Sequence, residues 1–150
     1  MPCCAGNGDF SDMNGSFFVG MLRHIGLALL FKHDGTGLPG KPTPPFFILM
    51  MVALLLAIAR HVVFGTLPAL PSVFRFLVVI AAISIIFSKA RYYLIALFFC
   101  LSIGTDAMAI LGGMLPRLPG PFFFLLSLWE TSAFVIGILH ITRKLDRPGF

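Results

Sequence analysis

Long apolar segments separated by short polar connections dominate the chain. Four of them lie at residues 45–64, 72–88, 92–115 and 121–141. A helix rises about 1.5 Å per residue, so roughly 20 apolar residues cross the ~30 Å hydrocarbon core of a bilayer. None of the segments alternates polar and apolar residues as a half-buried strand does. The pattern predicts an all-α fold, an integral membrane bundle of four transmembrane helices.

A shorter apolar segment precedes these spans at residues 16–31 and carries Arg23. As a helix it reaches about 24 Å, which is short of the hydrocarbon core. Arg23 shares one narrow face with Ser16 and Gly20, and apolar side chains cover much of the rest. We predict an interfacial amphipathic helix over residues 16–33, lying in the headgroup plane. A fifth span is the alternative.

The composition supports a single membrane domain. Only 11% of the 150 residues are charged and 58% are hydrophobic, with a mean hydropathy of +0.97. Because soluble domains carry about 25% charged residues, this chain has too little polar surface to cover a soluble globule. We expect residues 1–15 to form a flexible N-terminal tail and residues 16–150 to form one membrane domain.

Basic residues gather at the ends of the apolar segments, which predicts an orientation. Alternating through four spans places eight of the eleven Lys and Arg residues on the side of the 33–44 connection and three on the other. The eight are Arg23, Lys32, Lys41, Lys89, Arg91, Arg143, Lys144 and Arg147, and the three are Arg60, Arg75 and Arg117. By the positive-inside rule the first side is cytoplasmic, which predicts a multi-pass protein of the inner (cytoplasmic) membrane with a cytoplasmic C-terminus.

The same charge pattern indicates the partners. The basic residues form neither a long run nor one basic helix face, so nucleic acid is not an expected partner. They fit contact with anionic lipid headgroups of the bilayer. Another membrane protein or a second copy of the chain is the further expected partner.

Two carboxylates, Asp106 and Glu130, lie in the middle of the last two apolar segments. An acid in hydrocarbon costs roughly 2.5–3.5 kcal/mol on insertion scales, so it needs a partner or a purpose. Both lie equally far from the 116–120 turn, which predicts one depth, about 14 Å from that interface. Small residues share the face of each acid and favour close helix packing: Ser102, Ala109 and Gly113 beside the first, and Ser127, Ala133 and Gly137 beside the second.

Arg60, His61 and Arg75 lie near the same membrane face, on the first two spans. With Asp106 and Glu130 they form the candidate ligand- or partner-binding site, an intramembrane polar cluster. Three interpretations are open. The cluster could be a pocket that relays protons or binds a cation or polar headgroup, a set of ion pairs that fixes helix register, or a contact with a partner subunit.

Three segments carry a family resemblance: GMLRHIGLALLFKHDG, PTPPFFILMMVALLLAIA and LWETSAFVIGILHITRKL. In order and pattern they resemble small bacterial membrane proteins of the Yip family, which usually have about five spans. The resemblance implies a scaffold or accessory protein rather than an enzyme.

No catalytic motif was found, and His24 and His33 are predicted on different faces, which does not make a metal site. We therefore expect no enzymatic activity, no cofactor and no metal. The predicted function is a small membrane accessory or scaffold protein that associates through its helices with itself or a larger complex. The alternative is a small transporter, or an ion- or proton-coupled permease subunit, using Asp106 and Glu130.

Overall fold

The structure of the protein is a computed structural model that describes residues 10–33, 37–64, 70–114 and 121–145. Within these ranges the chain forms helices and no strand, which confirms the all-α prediction. The helices are α1 (Phe10–Leu29), α2 (Pro44–Phe64), α3 (Leu70–Ile86), α4 (Arg91–Gly113) and α5 (Pro121–Leu145).

Three of these helices, α2, α4 and α5, are long and apolar enough to cross a membrane. This agrees with the prediction of a membrane-embedded helical protein. Helix α3 has 17 residues and so reaches about 26 Å, slightly less than the hydrocarbon core. The number of spans stays a prediction.

Helix α4 is the central helix and contacts each of the other four. Its most apolar 18-residue window is 78% buried, against 22% for α2 and 17% for α5. Burial is continuous from Leu94 to Asp106, so every face of this stretch meets protein. A helix that is apolar all round is expected in such an interior position. The outer helices leave large apolar side chains exposed, as lipid contact requires.

Aromatic contacts show how the helices run relative to one another. The rings of Phe46 and Tyr92 are 5.8 Å apart, which puts the start of α2 beside the start of α4. The rings of Phe64 and Phe123 are 5.2 Å apart, which puts the end of α2 beside the start of α5. Helices α2 and α4 therefore run in one direction and α5 runs in the other.

Helix α1 packs with its C-terminal end against the middle of α4 and α5. Gly104 of α4 faces Leu29, and a Cβ at Gly104 would lie 2.8 Å from Leu29 Cδ1. Trp129 of α5 donates its indole N–H to the Leu29 carbonyl over 2.9 Å. Phe31 follows with φ of 58° and rests on the Trp129 ring at 5.1 Å. The indole thus satisfies one of the carbonyls that a helix end leaves without a partner.

The bounds of α1 differ from the prediction. The helix begins at Phe10, inside the segment predicted as a tail, whose residues 1–9 lie outside the described part of the chain. This stretch contains Asn14 and Gly15, which have low helix propensity, but each costs only about 0.5–1 kcal/mol in a helix. Helix α5 extends beyond residue 141 to Leu145, with Arg143 and Lys144 in its last turn, where cations are favourable.

Candidate functional site

Four helices each supply one charge to the polar cluster. Arg60 of α2 pairs with Asp106 of α4, with 2.9 Å between Nη1 and Oδ1. Arg75 of α3 pairs with Glu130 of α5, with 2.9 Å between Nη2 and Oε1. The cluster therefore contains two cations and two anions and is neutral overall, which lowers the penalty of holding charges away from water.

The acids lie deeper than the arginines. The side chains of Asp106 and Glu130 are 9% and 8% exposed, whereas those of Arg60 and Arg75 are 34% and 50% exposed. Long arginine stems can follow the apolar surface while the guanidinium stays near the interface. The acids, which have short side chains, have no such route to water.

Ser102 of α4 completes the site by donating its hydroxyl to Glu130 Oε1 over 3.3 Å. This contact places Glu130 about one helical turn from Asp106 along α4. Among the described side chains, no buried nitrogen or oxygen lacks a hydrogen-bond partner. The two acids are thus satisfied within the chain, as in the interpretation that ion pairs fix helix register.

The fifth predicted site residue, His61, lies beside the cluster. It lines a cavity of about 300 Å³ together with Arg60, Phe64 and Phe123. This cavity opens near the end of α2 and the start of α5, next to the Arg60–Asp106 pair. The structure thus brings four of the predicted residues into ion pairs and places His61 in the lining of this adjacent cavity.

The small-residue faces are only partly as expected. Ala109 and Ala133 are buried beside the acids, and Gly137 lies against Leu97 of α4, where any side chain would meet it. Ser127 is exposed instead, on the outer face of α5. It is three residues from Glu130, at the edge of the buried stripe, so helix rotation turns it outward.

Sequence reasoning missed a pair of histidines. His24 Nδ1 and His33 Nε2 lie 2.9 Å apart, so one ring donates a hydrogen bond to the other. The chain reverses at Phe31 and carries the buried His33 back onto α1. Helical spacing could not reveal this, because the contact depends on the path of the connection after α1. No group of three metal ligands occurs among the described residues.

The His24–His33 contact is expected to weaken in acid. Burial, and next the positive charge of Arg23, lower the pKa of His24 below 6.5. The docked connection therefore favours neutral His24, and its stability is complete above about pH 6.5 and declines as the pH falls below that value. The protection factors of the amides in residues 37–43, which correct for the intrinsic pH dependence of hydrogen exchange, should fall from pH 7.5 to pH 5.5. A His24→Gln variant should lose that dependence; an equal fall of the protection factors in the variant would contradict the assignment.

Comparison with known proteins places the chain in no family. No family model, no curated protein and no solved structure matches it. The resemblance to Yip family proteins therefore stays a prediction. A function can be inferred only from the sequence and structure of this chain.

Proposed function

We propose that this protein is a multi-pass accessory or scaffold protein of the cytoplasmic membrane, which associates through its helices with itself or with a larger membrane complex. The proposal rests on one observation: both acids of the polar cluster are paired within the chain. Each intramembrane acid is held by an arginine of the same chain, so the cluster stabilises a rigid bundle. Such a bundle of apolar helices acts through its membrane-facing surface.

The outer face of α5 is the best-supported contact surface. Ser127 and Thr131 are exposed there one turn apart, and Leu128, which is 53% exposed, lies on the same outer side of the helix. Small and hydroxyl side chains are enriched where helices associate in membranes. The half-exposed Arg75 lies beside this face through its pair with Glu130.

Cysteine cross-linking tests the association. In a variant whose three native cysteines are replaced by Ser, Leu128→Cys on α5 should give a covalent dimer or a cross-link to a co-purifying membrane protein. Leu55→Cys on α2 is the matched control, since the two leucines are 53% and 58% exposed. Cross-linking only in the Leu55→Cys variant would disprove the proposal that the outer face of α5 makes the contact. A monomer with no co-purifying protein in both variants would overturn the scaffold role.

The proposed topology has four spans with both termini in the cytoplasm. Helix α3 links the end of α2 to the start of α4, which lie at opposite ends of the bundle, so a chain that crosses with α2 and α4 returns with α3. Arg91 and Arg143 then share the cytoplasmic side, in line with the positive-inside rule. Reporter fusions after Arg91 and after Phe150 should both report cytoplasm; a periplasmic signal at either position would refute this topology.

A small transporter or permease subunit is the second candidate. The cavity at Arg60 and His61 favours it, because that cavity adjoins the Arg60–Asp106 pair from the end of α2. Exchange of the arginine between its acid and an entering anion would be the simplest transport step. Vesicles containing the protein would then show anion- or pH-dependent flux that Arg60→Gln abolishes, whereas the scaffold role requires no flux.

A further inference from the structure

A second cavity lies at the opposite end of the bundle, where α2, α3 and the start of α4 meet. Its volume is about 210 Å³. Its lining is mostly apolar and aromatic, with one cation: Phe46, Met50, Ile80, Ser84, Arg91, Tyr92, Ile95 and Phe99. The hydroxyl of Ser84 donates to the carbonyl of Ile80 over 2.7 Å, so it is already satisfied. The interior therefore suits hydrocarbon rather than a polar ligand.

Positive charge stands at the mouth of this cavity. The guanidinium of Arg91 is exposed and lies 4.7 Å from the ring centroid of Tyr92. Lys89 is exposed two residues earlier, in the turn that leads into α4. The two ion pairs found among the described residues involve neither of these cations. The acids Asp106 and Glu130 lie well inside the bundle and are already paired.

An apolar interior beneath two cations matches one kind of ligand, an amphiphile with a negative head. We propose that this cavity binds one anionic phospholipid, whose phosphate contacts Arg91 and Lys89 and whose acyl chain enters between α2 and α3. Basic pockets between membrane helices bind acidic headgroups in this way. The ring of Tyr92 holds the Arg91 guanidinium at the mouth by a cation–π contact.

The geometry separates this ligand from simpler ones. A free phosphate ion would meet two exposed cations but gain nothing from the aromatic lining. A neutral lipid would fill the lining but leave the cations without an anion. The proposal needs only a membrane-embedded protein and not the scaffold role, so either can fail without the other.

Native mass spectrometry of the full chain can test the site. The protein would be equilibrated in mixed micelles with equal amounts of phosphatidylglycerol and phosphatidylcholine, and retained lipid would be counted. Wild type should retain one phosphatidylglycerol preferentially. Arg91→Gln should weaken this retention about fivefold, since a basic residue near a membrane surface contributes about that factor, and Lys89→Gln should act similarly. Arg143→Gln, a cation of the same membrane side outside the cavity, is the control and should retain lipid normally.

A second variant tests the apolar part without changing charge. Ser84→Leu fills the cavity and should lower phosphatidylglycerol retention, while thermal stability in micelles verifies that it folds. Glycerol phosphate added in excess should not displace the lipid. Equal retention of the two lipids, equal losses in Arg91→Gln and Arg143→Gln, unchanged retention in folded Ser84→Leu, or displacement by glycerol phosphate would each overturn the proposal.

Discussion

Replacement of Arg60 by Gln is expected to destabilise the protein by about 3 kcal/mol, the lower end of the range for breaking a buried ion pair from one side. The variant leaves Asp106 without a cation in a position that is 9% exposed. The lower end applies because Arg60 itself is 34% exposed and part of the pair already meets solvent or headgroups. Unfolding by SDS in mixed micelles, followed by Trp129 fluorescence, measures the loss.

Replacing the acid of this pair should destabilise the protein less than replacing the arginine. Asp106→Asn leaves Arg60 without its acid, but the long arginine side chain can extend to the interface. The double variant Arg60→Gln with Asp106→Asn should return close to wild type, because a neutral hydrogen-bonding pair leaves no buried charge. Equal losses in the two single variants, without recovery in the double variant, would show that Asp106 is not held by Arg60.

Arg143→Gln serves as the reference for loss of a cation. It removes an exposed arginine from the last turn of α5, outside the cluster. Its effect should stay within about 0.5 kcal/mol, as for ordinary surface substitutions.

Gly104→Leu is expected to release α1 from the bundle. A Cβ at Gly104 lies 2.8 Å from Leu29 Cδ1 and 3.1 Å from Ile25 Cγ2, so a whole leucine side chain cannot fit without moving α1. Overpacking of this kind costs about 1–3 kcal/mol, and the displacement also breaks the bond from Trp129 to the Leu29 carbonyl.

The single Trp of the chain makes this release visible. The emission of Trp129 should shift when its indole loses the Leu29 carbonyl and the Phe31 ring, and proteolysis of α1 should accelerate. Gly26→Leu is the matched control, because a Cβ at Gly26 meets nothing within 4 Å. Both variants gain about 1 kcal/mol of helix propensity, so only the contact separates them. Identical emission and proteolysis in the two variants would contradict the docking of α1.

Hydropathy alone predicted helices α2 to α5, because apolar length is a strong local signal. Counting residues to the shared turn also predicted that Asp106 and Glu130 lie at one level, and the Ser102–Glu130 contact puts them about one helical turn apart. The pairing could not be derived in the same way. Which arginine meets which acid depends on the order of α2, α3 and α5 around α4, and this order is set by packing over the whole bundle.

The central position of α4 left a weak signal in the sequence. Gly104, Thr105 and Ala109 make this helix unusually rich in small residues, which permit close approach from several sides. Helices α2, α3 and α5 carry fewer such residues for their length. The docking of α1 left no such signal, because the Trp129–Leu29 contact joins a side chain to a backbone carbonyl 100 residues away.

The order of the charged residues along the chain bears on how the protein is made. Arg60 is synthesised before Asp106, and both Arg75 and Ser102 are synthesised before Glu130. Domains form from the N-terminus as the chain leaves the ribosome. Each arginine can wait with its charge at the headgroups, whereas a carboxylate on a short side chain cannot. In the proposed four-span topology, each acid therefore enters the membrane when its counterion is already there, and neither is inserted as an isolated charge.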